Sequence, residues 1–151
     1  MPLKVSNFIT SKVLVAHPED GIRKTFFRMR ENEVHHMPVL DDERQLVGVI
    51  SDRDLRRPEW VDEAPDLSHI YELDDNLSVK DLMTTNVTVT HTYDTIAKAT
   101  KVLLCNRFGA MPVLNKDQEV VGMLASHDLL KALDLLLDEQ KSAKKNRGSR
   151  T

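Results

Sequence analysis

The side chains here that could do chemistry are the aspartates Asp54 and Asp128, the pair His35-His36, the single Cys105 and the single Trp60. Asp54 follows Ser51 by three residues and Gly48 by six; Asp128 follows Gly122 by six, with Ala125 where the hydroxyl stood. A carboxylate so placed can satisfy free N–H groups at a helix start, where negative charge is favoured. It can equally accept hydrogen bonds from the hydroxyls of a bound molecule. His35-His36 could touch an anion, but adjacent histidines seldom converge on one metal and no matching Cys/His set follows. His17 and His91 occupy equivalent loops and read as structural. Cys105 reads as core and Trp60 as an anchor for its segment. No nucleophile–base signature, metal-ligand spacing or glycine-rich phosphate loop is present, so an enzyme is not expected.

These residues must be held by a chain of 151 residues, enough for one compact domain or two half-domains. Hydrophobic residues at 40% and charged residues at 30% are ordinary for a folded protein, and aromatics at 5% make the core aliphatic. The net charge of −3 gives no global reason to bind nucleic acid or anionic membrane. No apolar run reaches the roughly 20 residues of a membrane span, and the opening Met1-Pro2-Leu3-Lys4 does not look like a signal peptide. One cysteine cannot form an internal disulfide, so the expected location is the reducing cytoplasm.

Slid against itself, the chain repeats. Residues 5–57 align with 79–131 at a constant offset of 74 (79 − 5), without a gap. Val5/Val79, Thr10/Thr84, His17/His91, Asp20/Asp94, Asn32/Asn106, Met37/Met111 through Leu40/Leu114, Gly48/Gly122 and Asp54/Asp128 are identical. Each unit reads as a short strand (Val13-Leu14-Val15, Val87-Thr88-Val89), then a helix with Asp20 or Asp94 at its cap. The spacing of Ile22, Phe26 and Met29, and of Ile96, Thr100 and Leu103, puts each set on one helical face. A hairpin follows, from Met37-Pro38-Val39-Leu40 across Asp41 to Gln45 into Leu46-Val47-Gly48-Val49-Ile50. A last helix opens at Asp52; its counterpart from Ser126 runs on through Leu129, Leu130, Leu133 and Leu137.

The expected organisation is a first repeat over 1–57, an acidic linker over 58–76, a second repeat over 77–137 and a basic, disordered tail over 138–151. The linker has seven acidic residues and no Lys or Arg, and Leu67, Ile70 and Tyr71 could share one face of a short helix. A unit of this size buries little surface alone, so the two should pack face to face.

Each unit resembles a CBS domain, the module named after cystathionine β-synthase, and the pair resembles a stand-alone tandem Bateman module. The resemblance rests on Val5-Ser6-Asn7-Phe8-Ile9-Thr10 and Val79-Lys80-Asp81-Leu82-Met83-Thr84. It continues in His36-Met37-Pro38-Val39-Leu40 and Ala110-Met111-Pro112-Val113-Leu114, then in residues 48–54 and 122–128. It implies an α/β (α+β) fold of two pseudo-symmetric repeats, each a small sheet with flanking helices. It further implies that an adenosine-containing ligand (AMP, ADP, ATP, S-adenosylmethionine or NAD) binds between the repeats, and that the modules pair through their helices as homodimers. No cofactor is expected to be required; Mg²⁺ would accompany ATP.

The family's motif, glycine, then Ser/Thr three residues on and Asp three further, is complete as Gly48, Ser51 and Asp54. In such a site a carboxylate accepts from both ribose hydroxyls, and phosphate is favoured at a helix N-terminus. The resemblance adds His35 and His36 as phosphate contacts, Arg53 as a further cation, and Thr84, Asn86 and Val87 from the other repeat. The second copy has lost the hydroxyl at Ala125 and has Gly109-Ala110 in place of the histidines, so Asp128, Thr10, Lys12 and Val13 form a weaker or vacant site. A regulatory nucleotide sensor acting on dimer geometry or on an unidentified regulated protein is the first reading. A purely structural dimerisation scaffold with vacant clefts is the second. Nucleic-acid binding would rest on the five basic residues after 140 alone and is not expected.

Overall fold

The computed structural model describes residues 3–9, 13–56, 76–106 and 109–148, with side chains through 145. Thr10, Lys12, Trp60, Leu67, Ile70, Tyr71 and nearly all of the acidic linker lie outside the described residues.

The first repeat contains α1 (Ile22–Glu31), β1 (His36–Leu40), β2 (Leu46–Ser51) and α2 (Asp52–Arg56). The second opens with α3 (Val79–Leu82) and continues through β3 (Thr90–His91), α4 (Ile96–Asn106), β4 (Ala110–Leu114), β5 (Val120–Ala125) and α5 (Ser126–Gly148). The hairpins superpose in register: His36 faces Ser51 in β1–β2 as Ala110 faces Ala125 in β4–β5, with a bulge before Leu40 and before Leu114. Their turns share one device. Asp41 Oδ1 accepts from the Glu43 and Gln45 N–H groups, and Asn115 Oδ1 accepts from those of Asp117 and Glu119. The left-handed residues Arg44 and Gln118 then complete each turn.

Apolar periodicity was a sound guide to the helices. Ile22, Phe26 and Met29 are buried along α1, as are Ile96 and Leu103 along α4, with Ala99 taking the place expected of Thr100. Cys105, expected in the core, is exposed. It stands two residues beyond Leu103, about 200° round the helix from the buried face.

Three further expectations change. Residues 13–15 and 87–89 form no strand; parallel pairing begins later, at the Ala16–Val39 bridge and at β3 on β4. Asp20 and Asp94 do not cap their helices but accept from the N–H three residues back, His17 and His91, at 2.9 Å each. The tail is helical through Gly148 as part of α5. Residues 138–145 contain no Gly or Pro and are rich in Lys, Ala, Gln and Glu, which favour helix.

The two cores exchange their opening segments. One cluster holds Ala16, Ile22, Phe26, Met29, Met37, Val39, Ile50 and Leu55 of the first repeat, yet it also buries Val79 and packs Leu77, Leu82 and Met83 of the second. The other holds Ile96, Ala99, Leu103, Met111, Val113, Leu124 and Ala132, with Val5 buried among them and Leu3, Phe8 and Ile9 against them. Backbone bonds secure both exchanges: Ile22 N–H donates to Leu77 O and Val79 N–H to Asp20 O, while Ile96 N–H donates to Leu3 O and Val5 N–H to Asp94 O. The packing units therefore differ from the sequence repeats.

Candidate functional site

Exchange carries the second repeat's opening segment across β2, and this builds the first cleft. Thr84 and Val49 trade backbone hydrogen bonds, 3.0 Å from the Val49 N–H and 2.9 Å from the Thr84 N–H. Gly48 lets the strands cross: a Cβ there would lie 2.6 Å from Met83 Sδ and 3.0 Å from the Thr84 carbonyl oxygen. Beyond the crossing, Thr84, Asn86, Val87 and Thr88 face Val49, Ser51, Asp52, Arg53 and Asp54 across a cleft of about 400 Å³ closed by His36, Gly109, Ala110 and Pro112. Its size is within the range of about 300–1,000 Å³ usual for small-molecule sites.

At its floor Ser51 and Asp54 form a reciprocal pair. The Asp54 N–H donates to Ser51 Oγ at 3.1 Å, and the Ser51 N–H donates to Asp54 Oδ2 at 3.0 Å. This is a helix-capping box, and it leaves Asp54 Oδ1 without a hydrogen-bond partner among the described residues. The helix-start and ligand-contact readings of Asp54 are thus compatible, one oxygen to each.

Seven of the nine residues expected at this site line the cleft: Asp54, Ser51, Arg53, His36, Thr84, Asn86 and Val87. Gly48 is buried beneath it and acts through the strand crossing. His35 is turned away, its Nδ1 2.9 Å from Asp52 Oδ2 and its side chain 73% exposed, because adjacent strand-edge residues point oppositely. Val49, Asp52, Thr88, Gly109, Ala110 and Pro112 also line the cleft and were not foreseen. Val49 could have been, since it shares a strand face with Ser51.

A second cleft, of about 360 Å³, lies where the pseudo-symmetry requires it. Val13, Leu14 and Val34 face Met123, Ala125, Ser126, His127 and Asp128, with His35 and His36 at one wall. The Ala125 N–H donates to Asp128 Oδ2 at 2.8 Å, so half the capping box persists without the hydroxyl. Asp128 and Val13 are brought together; Thr10 and Lys12 lie outside the described residues.

His36 forms part of both clefts. Burial holds its pKa below the usual 6.5, opposed by the nearby Asp52 carboxylate, reinforced by His35 and opposed again by Asp54. Among the described residues no three His, Cys, Asp or Glu side chains cluster to hold a metal ion, and no helix is long and apolar enough to cross a membrane.

Two small α/β repeats, interlocked by exchanged segments and enclosing a pair of pseudo-symmetric clefts, define the class as a tandem repeat module. The CBS domain pattern matches residues 5–58 and 79–135, and the chain belongs to that family. It is 30% identical over 144 residues to a CBS domain-containing protein of Dictyostelium discoideum, covering 91% of this chain and 96% of the relative. The crystal structure of the CBS-pair protein CBSX2 from Arabidopsis thaliana is 27% identical, with a TM-score of 0.76 over 91% of this chain and 99% of that one. The structure of CBSX2 in complex with AMP matches at 27% identity and a TM-score of 0.69, over 89% of this chain and 98% of that one. Other relatives are longer: the chain spans 23% of an inosine-5′-monophosphate dehydrogenase of Methanocaldococcus jannaschii, at 24% identity.

Proposed function

We propose that this protein is a regulatory, non-catalytic module that binds an adenosine-containing nucleotide in the Asp54 cleft and thereby alters its dimer geometry or its contacts with a regulated protein. The observation that carries this reading is the open Asp54 Oδ1 beside Ser51, set in the same cleft as Thr84, Asn86 and Val87 of the other repeat. The AMP complex of the similar CBSX2 supports it. A carboxylate oxygen suits vicinal hydroxyls, Val87 gives an apolar surface for a base, and Arg53 supplies a cation for phosphate. The Asp128 cleft, lined by Met123 and Ala125 and without the hydroxyl, is the weaker site. Ligand binding regulates only if the two geometries of the module differ in affinity.

A structural scaffold is the second reading, favoured by the capping box, which is complete without a ligand. Thermal unfolding with AMP, ADP, ATP, S-adenosylmethionine and NAD separates the two. A ligand at 100 times its Kd adds about 2.7 kcal/mol. The sensor reading expects a stabilisation by one ligand that disappears in Asp54→Ala and survives in Asp128→Ala. No shift with any ligand, from protein verified to be empty, would favour the scaffold.

A further inference from the structure

We propose that His36 makes ligand choice in the Asp54 cleft proton-dependent: a 5′-phosphorylated adenosine binds with uptake of a proton onto the imidazole, whereas unphosphorylated adenosine binds beside the neutral ring. The inference rests on the nucleotide-binding reading above and specifies the ligand chemistry of that site.

Placement is the first argument. Only His36, Gly109 and Ala110 line both clefts among the described residues, and His36 alone of the three titrates. The second repeat also comes close to the ring: a Cβ on Gly109 would stand 3.2 Å from its Nε2 and 3.3 Å from its Cε1, tighter than ordinary contact, so glycine there leaves the imidazole its room.

The surrounding charges are the second argument. Asp52, Arg53 and Asp54 face the ring from α2, His35 precedes it, and His127 and Asp128 of α5 stand across the second cleft. Pro112 and Ala110, the neighbours from β4, carry no charge. Burial keeps the ring neutral at neutral pH despite Asp52 and Asp54. A phosphate brought against it adds the negative charge needed to favour the protonated form. Arg53 attracts phosphate at every pH, so the pH-dependent part of protein-side recognition belongs to His36. Each unit by which the ligand raises the ring's pKa makes binding up to about tenfold tighter below that value than above it.

The test follows the histidine ring signals of the full-length chain by NMR from pH 5 to 8, alone, with AMP and with adenosine. The His36 signal is identified by its loss in His36→Gln. The expected result is a His36 midpoint below 6.5 in the empty protein, raised by about one unit by AMP and unmoved by adenosine. AMP affinity measured alongside should tighten on acidification, and His36→Gln should retain only the slope from the phosphate's own ionisation near 6. AMP that perturbs the signals of Thr84, Asn86 and Val87 while leaving the His36 midpoint in place would overturn the proton linkage and keep the nucleotide reading. If neither AMP nor adenosine perturbs any cleft signal, both fall together.

Discussion

Ser51 and Asp54 cap α2 with two of their three side-chain oxygens and leave Asp54 Oδ1 for the proposed ligand, and the second repeat shows what remains when the hydroxyl is missing. Ser51→Ala should cost about 1 kcal/mol of stability through the lost cap and should also weaken nucleotide binding. Ala125→Ser should do the reverse at the other cleft, adding a comparable amount by completing the box on Asp128; urea unfolding of both variants reads the two signs. Gly48→Ala tests the strand crossing beneath. Its methyl would meet Met83 Sδ at 2.6 Å and the Thr84 carbonyl at 3.0 Å, so a loss of about 1–3 kcal/mol is expected. Ligand affinity should fall with it, although the residue does not line the cleft. Protonation adds a pH dependence at three other residues, one of them Asp81, whose carboxyl the Ser78 backbone N–H and hydroxyl hold below 3.8. The folded pKa of His36 lies below 6.5, so its contribution is complete above pH 6.5 and is lost as pH falls through the folded value. Burial of Asp94 opposes its ionisation, but hydrogen bonds from His91, Thr90 and Lys98 outweigh this and hold its pKa below 3.8. That contribution is present above pH 3.8 and disappears as pH falls through the lower, folded value. Stability should therefore decline in two steps on acidification, and His36→Gln should remove only the first.

At the scale of elements, each hairpin turn hangs on one side-chain oxygen that accepts two backbone N–H groups. Asp41→Ala and Asn115→Ala should each cost roughly 1–2 kcal/mol, less than a buried loss because the N–H groups can turn to water. Denaturant midpoints of the single and double variants should show nearly additive costs, since the turns belong to different repeats. What could be read from the chain follows from how local its cause is. Helical faces depend on periodicity and hairpins on turn residues, and both are local. The strands expected at residues 13–15 and 87–89 had the right composition, yet pairing depends on a partner edge that no local pattern reveals. Val13, Leu14, Val87 and Thr88 line the clefts instead. The direction of Asp20 and Asp94 was hidden for the same reason: the His17 and His91 N–H groups competed with the helix ends and won. The repeat alone paired Gly48 and Asp54 with their copies; most of the lining of the Asp54 cleft, Thr84, Asn86 and Val87 above all, could be expected only through the family resemblance. Turning His35 from the Asp54 cleft toward the second one required the course of the chain into β1, which only the folded hairpin supplies.

For the whole molecule, the exchanged segments and the apolar face of the second repeat make separate demands. Leu104, Leu130, Leu133 and Leu136 are exposed around a groove of about 770 Å³ between α4 and α5, consistent with the proposed pairing of modules through their helices. Leu133→Asp should shift a dimer to monomer in sedimentation without altering the fold; an unchanged species would place the pairing elsewhere or exclude it. The exchange makes a stronger demand. Val5 is 0% exposed in the second repeat's core and Val79 is 0% exposed in the first's. Each core therefore lacks part of its interior until the other segment arrives. A fragment of residues 1–57 would lack Leu77, Val79, Leu82 and Met83 and would leave the β2 edge at Val49 unpaired. Burying a large apolar side chain fully is worth roughly 1.5–3 kcal/mol; Val79 is fully buried and the other three partly, so their joint loss removes a large share of the roughly 5–15 kcal/mol typical of a domain. Residues 1–57 and 76–151 should therefore be unfolded separately, and mixing them should restore helical circular dichroism with one cooperative transition. A fragment 1–57 that folds alone would show the exchanged segment to be dispensable. The Asp54 cleft would then owe its second wall to docking between independent units, rather than to a shared core that forms together with both repeats.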